Sequence, residues 1–215
     1  MNESIKGTSI LVVDDHPLFR QALILAASNV YPDADIIEAG NIEGALAHIK
    51  ETPAIELILL DLKLPGAVGY SGVALIHAEA PTVPILVISS ADPKRAAFET
   101  ARFGAIGFVG KDNNLATIEN AIRRAAIGQK IDTGEIIIDA DVDDMAAKVA
   151  ALTPMQLRVL LGVLNGRLNK QIAYDLSISE ATVKAHLTAI FKKLDVGNRT
   201  QAALAARALG IGMEV

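Results

Sequence analysis

The sequence predicts two structural units: an α/β domain built on a five-stranded, parallel, doubly wound sheet, and behind it an all-α domain of four helices. Three observations predict this. Five short apolar runs alternate with helical patterns up to residue 127, which is the signature of βα units. From Leu152 onward the periodicity is purely helical. Charge divides the same way: residues 1–147 carry 11 Lys and Arg against 21 Asp and Glu, a balance of −10, whereas residues 148–215 carry 9 against 4, a balance of +5. An acidic first unit and a basic second one imply that only the second meets a polyanion.

The apolar runs are Ile10 to Val13, Ile36-Ile37, Leu57 to Leu60, Ile85 to Ile88 and Gly107 to Val109. Continuous Val/Ile/Leu runs suit strands buried on both faces. Between them, Leu18, Ala22 and Leu25 form one helical stripe, and Ile42, Ala45, Leu46 and Ile49 another, with Asn41 as its N-cap. Pro93 to Arg102 reads as a fourth helix closed by Gly104; Leu115, Ile118, Ile122 and Ala125 mark a fifth. Such a sheet binds ligands at the carboxyl ends of its strands. Residues 128–148 break the rhythm and read as a linker, acidic from Asp139 to Asp144, with a short strand at Ile136 to Ile138.

In the second unit, residues 149–215, Thr153-Pro-Met-Gln156 is a capping box with proline at the first helical position. Leu157, Leu160, Leu161 and Leu164 line one face, and Asn165-Gly166 stops the helix. A short helix from about Asn169 to Leu176, a turn at Ser177-Ile-Ser179, a longer helix to Leu194 and a last one from near Thr200 complete a helix-turn-helix pattern.

The chain has no cysteine, which excludes disulfides and thiolate metal sites and fits a reducing cytoplasm. His16, His48, His77 and His186 show no zinc-ligand spacing. Met1 to Lys6 lacks a signal pattern, and no apolar run reaches bilayer length. A cytoplasmic protein without a membrane partner is expected.

Chemistry concentrates at strand ends. Asp14 and Asp15 follow the first strand, Asp61 ends the third, Ser89 follows the fourth and Lys111 the fifth. Carboxylates converging on one sheet edge repel unless a cation joins them, and Mg²⁺ is the hard cation such a set accepts. An aspartate beside Mg²⁺ and Lys can act as a nucleophile toward a phosphoryl donor. Any one of these aspartates alone could be a helix cap; the ordered set argues for chemistry. These residues, with Asp61-Leu-Lys-Leu-Pro65, Gly69 and Gly104-Ala-Ile-Gly-Phe108, resemble a response-regulator receiver domain of flavodoxin-like fold over about residues 8–127. The resemblance implies Asp61 as phosphoacceptor, Asp14, Asp15 and Asp61 as Mg²⁺ ligands, Lys111 on the phosphoryl group, and Ser89 with Phe108 as a switch pair. Leu64 and Val68 depart from the residues usual in the family, and Phe108 stands where Tyr is commoner.

In the longer helix, Val183, Leu187, Ile190 and Leu194 share one face, and Lys184, Ala185, Thr188 and Lys192 share the other. Lysines neutralise phosphates, and Ala or Thr can touch thymine methyls. Lys170, Lys193 and Arg199 extend the candidate phosphate contacts, and His186 between the faces reads as packing. Leu152 to Gln156, Asn165 to Ala173, Ile178 to Leu187 and Asn198-Arg-Thr200 resemble a LuxR-type helix-turn-helix, with Met155-Gln156 where Arg-Glu is usual. That adds Ser179 and Thr182 to the DNA-facing set. Together the two halves resemble NarL/FixJ-type response regulators. The resemblance implies a sensor histidine kinase and double-stranded DNA as partners, a homodimer in the active state, and no enzymatic turnover. A phosphatase using Asp61 lacks a second acid and leaves the basic domain unused. A phosphorylation-independent or ligand-responsive regulator leaves the pocket without purpose.

Overall fold

The computed structural model describes residues 8–131 and 140–212. Strands β1 (Ser9–Val13), β2 (Asp35–Ala39), β3 (Ile55–Leu60), β4 (Ile85–Ser89) and β5 (Ala105–Gly110) alternate with helices α1 (Pro17–Val30), α2 (Ile42–Glu51), α3 (Ser71–Glu79), α4 (Pro93–Arg102) and α5 (Leu115–Ala126). All pairings are parallel and the order is β2-β1-β3-β4-β5. The chain therefore reverses its winding at β1 and β3, which is where such sheets open a crevice.

Strand residues alternate between two cores. Ile10, Val12, Leu57, Leu59, Leu86 and Ile88 pack with Leu23, Ala26 and Ala27 of α1 and Ile118, Ala121, Ile122 and Ala125 of α5. Leu11, Val13, Ile58, Leu60, Ile85 and Val87 face α2, α3 and α4. The buried face of α1 is thus Leu23, Ala26 and Ala27. The stripe expected at Leu18, Ala22 and Leu25 lies outside, with Leu18 90% and Leu25 55% exposed. Both stripes have helical spacing, and periodicity cannot say which one meets the sheet.

Helices α7 (Pro154–Leu164), α8 (Asn169–Asp175), α9 (Glu180–Leu194) and α10 (Arg199–Ala208) form the helical domain. The Thr153 hydroxyl accepts from the Gln156 N–H at 3.3 Å, and the Gln156 side chain accepts from the Thr153 N–H at 3.1 Å, completing the capping box. A further helix, α6 (Ala140–Ala150), occupies much of the stretch read as linker. Its Ala146 and Val149 are buried and its Asp144 pairs with Lys148 at 2.7 Å. Small apolar residues spaced to reach the core outweigh the acidic composition that suggested a linker. The strand expected at Ile136 to Ile138 lies outside the described residues.

The two domains share a seam. Helix α7 packs on α3, and α6 touches both α3 and α4. The loop before α3 pairs with the residues after α10 through an antiparallel bridge between Gly69 and Ile211. There the Tyr70 N–H donates to the Gly210 carbonyl (3.4 Å) and the Gly212 N–H to the Val68 carbonyl (3.3 Å). Gly210 has φ +72°, and a Cβ there would lie 2.9 Å from the buried Tyr70 ring, so both conformation and space demand glycine. Sandwiched between sheet and α7, α3 is buried over its first six residues. That explains its lack of an amphipathic pattern.

Candidate functional site

The sheet ladder continues past the strand ends and fixes the acidic pocket. The Asp14 N–H donates to the Ala39 carbonyl (3.1 Å), Asp61 N–H to the Val13 carbonyl (2.9 Å) and Lys111 N–H to the Ser89 carbonyl (3.0 Å). Asp14 and Asp61 are buried, whereas Asp15 is partly exposed at the rim. Lys111 Nζ lies 2.7 Å from Asp14 Oδ2 and 2.6 Å from Asp61 Oδ2, so one ammonium bridges the two buried carboxylates. Asp61 Oδ1 and Ser89 Oγ are buried with no hydrogen-bond partner among the described residues. A buried polar atom without a partner is costly, so both can take a partner from outside the chain.

Asp14, Asp15, His16 and Asp61 each offer a ligand atom within 4.8 Å of the others. Three carboxylates against one ammonium leave a negative excess, and oxygen donors of this number fit a hard divalent cation. Beside them a recess of about 420 Å³, lined by Asp15, Lys63, Pro65 and Gly69, opens to solvent. On the α4 side Phe108 is buried and borders a second recess of about 300 Å³ with Pro93, Ala97, Asn113 and Arg124.

The first turn of α1 adds groups that the strand-end reasoning missed. The His16 N–H donates to Asp14 Oδ1 at 2.8 Å, and its ring nitrogen Nδ1 lies 2.7 Å from Asp15 Oδ1. Arg20 donates to the Asp14 carbonyl at 2.7 Å and pairs with Glu38 at 3.0 Å. The Phe19 ring lies under the Lys111 ammonium, 4.5 Å from its centroid. Adjacency to Asp14-Asp15 was the available signal for His16; a cation–ring contact 92 positions apart leaves none.

In α9, Val183, Leu187, Ile190 and Leu194 are buried, while Lys184, Ala185, Thr188 and Lys192 are exposed together with Ser179 and Thr182. The Ser179 hydroxyl caps the helix by accepting from the Thr182 N–H at 3.0 Å. Lys170 is exposed at the start of α8. Two cations behave differently. Arg199 donates to the Arg167 carbonyl and to Asn169 Oδ1, and Lys193 donates to the Ala151 carbonyl (3.1 Å) and Gln156 Oε1 (3.0 Å). Both tie helices together, and Gln156 thereby finds a partner across the fold. The α/β domain docks mainly through α3 and leaves the exposed face of α9 open.

Two family models match the chain: the response regulator receiver domain over residues 10–123, and the bacterial regulatory proteins of the luxR family over residues 150–206. A glycerol metabolism activator of Pseudomonas putida is 36% identical over 207 residues, covering 92% of this chain and 94% of that protein. The transcriptional regulatory protein LiaR of Bacillus subtilis is 32% identical over 204 residues, covering 92% and 95%. Among solved structures, the receiver domain of the putative response regulator NarL from Mycobacterium tuberculosis superimposes with a TM-score of 0.51 at 30% identity, covering 58% of this chain and 99% of that one. RcsB of Salmonella typhimurium, at 16% identity and TM-score 0.52 over 94% of this chain and 99% of that one, shares the fold. No single helix among the described residues is long and apolar enough to cross a membrane. A receiver sheet with its acidic pocket, joined to a luxR-type helical domain, places this chain in the family of LuxR-type response regulators, which are transcription regulators and not enzymes.

Proposed function

We propose that Asp61 accepts a phosphoryl group from the phosphohistidine of a sensor kinase, and that this gates binding of double-stranded DNA by α9 in a homodimer. One observation carries the reading: a buried Asp61 whose Oδ2 is held by Lys111 while Oδ1 has no partner among the described residues. Oδ1 attacks phosphorus, the P–N bond of the donor breaks, and the departing imidazole nitrogen keeps the electron pair and takes up a proton. Asp14, Asp15 and Asp61 would hold Mg²⁺, which supplies positive charge to the oxygens in transfer. Lys111 contributes a fixed cation from the chain itself.

The adduct then offers oxygens to Ser89 Oγ, and the Phe108 ring moves into the space that the hydroxyl vacates. Lys184, Ala185, Thr188 and Lys192, with Ser179, Thr182 and Lys170, face the DNA; Arg199 reaches a phosphate only by giving up its bonds to α8 and the turn before it. In this reading the receiver spans residues 1–127 and the DNA-binding domain 149–215, with α6 across the linker between, and the protein acts in the cytoplasm. The test is incubation with a small phosphodonor and Mg²⁺. A single acid-stable, base-labile phosphoryl adduct is expected, and none after chelation; labelling that persists without a divalent cation removes the metal from the mechanism.

A further inference from the structure

A lysine ammonium is a strongly hydrated charge on a flexible stem, yet the role given to Lys111 requires its charge at one point. Its backbone is held by the Ser89 carbonyl. Its ammonium carries three N–H donors: Asp61 Oδ2 accepts one, and Asp14 Oδ2 takes a second side at ion-pair distance. Another side is covered by the face of Phe19, 4.5 Å from the ring centroid. The turn that carries the ring is held independently of Lys111. Pro17 opens α1, the His16 N–H bonds Asp14 Oδ1, and Arg20 clamps the Asp14 carbonyl. The same turn leaves the neighbouring Leu18 in solvent, so the helix phase points Phe19 inward.

We propose that Phe19 is a positioning residue of the phosphoryl-transfer pocket, its ring face holding the Lys111 ammonium at Asp61. The inference rests on the reading of Asp61 and Lys111 given above. An aromatic face suits this task for a definite reason. It attracts a cation through its quadrupole but accepts no conventional hydrogen bond, so it holds the ammonium without competing as an oxygen acceptor would for the N–H groups of Lys111. A polar side chain at position 19 would compete for those donors, and an aliphatic one would shield the ammonium from water without attracting it.

The test is a double-mutant cycle in the full-length chain, reading the rate of phosphorylation by phosphoramidate with Mg²⁺. Phe19→Leu is expected to slow labelling roughly three- to tenfold, the range of a partly desolvated cation–ring contact, and Phe19→Tyr to stay within about twofold of wild type. In a Lys111→Met background Phe19→Leu should add nothing. Equal losses in both backgrounds mean that Phe19 only packs, and overturn the proposal. Normal labelling of Phe19→Leu, with Lys111→Met slow, overturns it while leaving the pocket reading intact. If Lys111→Met labels normally, the pocket reading falls and the positioning role with it. Fluorinated phenylalanines at position 19 keep the ring's shape, and with it folding, while draining the π face. The rate should decline as fluorines are added, and a flat series would refute the cation–ring contact.

Discussion

The acidic pocket and the exposed face of α9 are both charged surfaces, yet they are built in opposite ways. Asp14 and Asp61 are taken out of water, Lys111 largely so, and the three are locked by ladder hydrogen bonds and paired with one another. Lys184 and Lys192 stand in solvent on a helix whose opposite face does all the packing. A buried constellation works at fixed geometry and fails sharply when one member changes. An exposed one works by accumulated charge and fails gradually, in step with salt. Under the proposed function the contrast also separates signal from readout: one site would recognise a single phosphorus atom, the other a long polyanion.

Breaking the pocket should give the largest effect. Asp61→Asn should abolish the phosphoryl adduct, measured by intact mass, while circular dichroism stays native; an undiminished adduct would move the acceptor elsewhere. Ser89→Ala comes next. It should be phosphorylated normally yet lose most of the phosphate-induced gain in DNA affinity, a gain of more than a hundredfold if coupling is worth ~3 kcal/mol. An intact gain would show that the signal leaves the pocket by another route. On the exposed face, Lys184→Ala should weaken DNA binding about tenfold and lower the salt slope by about one unit; unchanged titrations at several salt concentrations would displace α9 from the groove. The smallest effects sharpen the comparison within α9 itself. Lys192→Ala should cost a little DNA affinity and no thermal stability. Its neighbour Lys193→Ala should do the reverse, losing about 0.5–1 kcal/mol of stability with its bonds to Ala151 and Gln156. Equal behaviour of the two variants would erase the distinction.

The pocket was legible because each member lies one or two residues after an apolar run, and a parallel sheet must bring those ends together. The helix-turn-helix was legible from caps: Thr153, Ser179 and the Gly166 stop are local signals that the chain obeys. What stayed hidden depends on distant partners. Lys193 and Arg199 read as free cations because nothing local announces Gln156 or the Arg167 carbonyl. Helix α3 has no polar face because α7 covers it, and Leu18 faces solvent because a second stripe fits the sheet better. Helix α6 was masked by its acidic composition, which outweighed the two small apolar residues that dock it.

The seam has one more consequence. The apolar cluster under α2, α3 and α4 runs without interruption through Tyr70, Val73 and Ile76 into Leu157, Leu160, Leu164 and Ile211. Domains with separate cores melt separately, whereas elements that share one core unfold together. Heat should therefore meet a single cooperative unit spanning receiver and helical domain, with one calorimetric peak. With the Gly69–Ile211 bridge and the packing around it broken, for instance by Gly210→Val, the same chain would be two smaller units, each with a larger share of its surface in water and a lower melting temperature of its own. Any rearrangement that parts this seam therefore costs the chain durability.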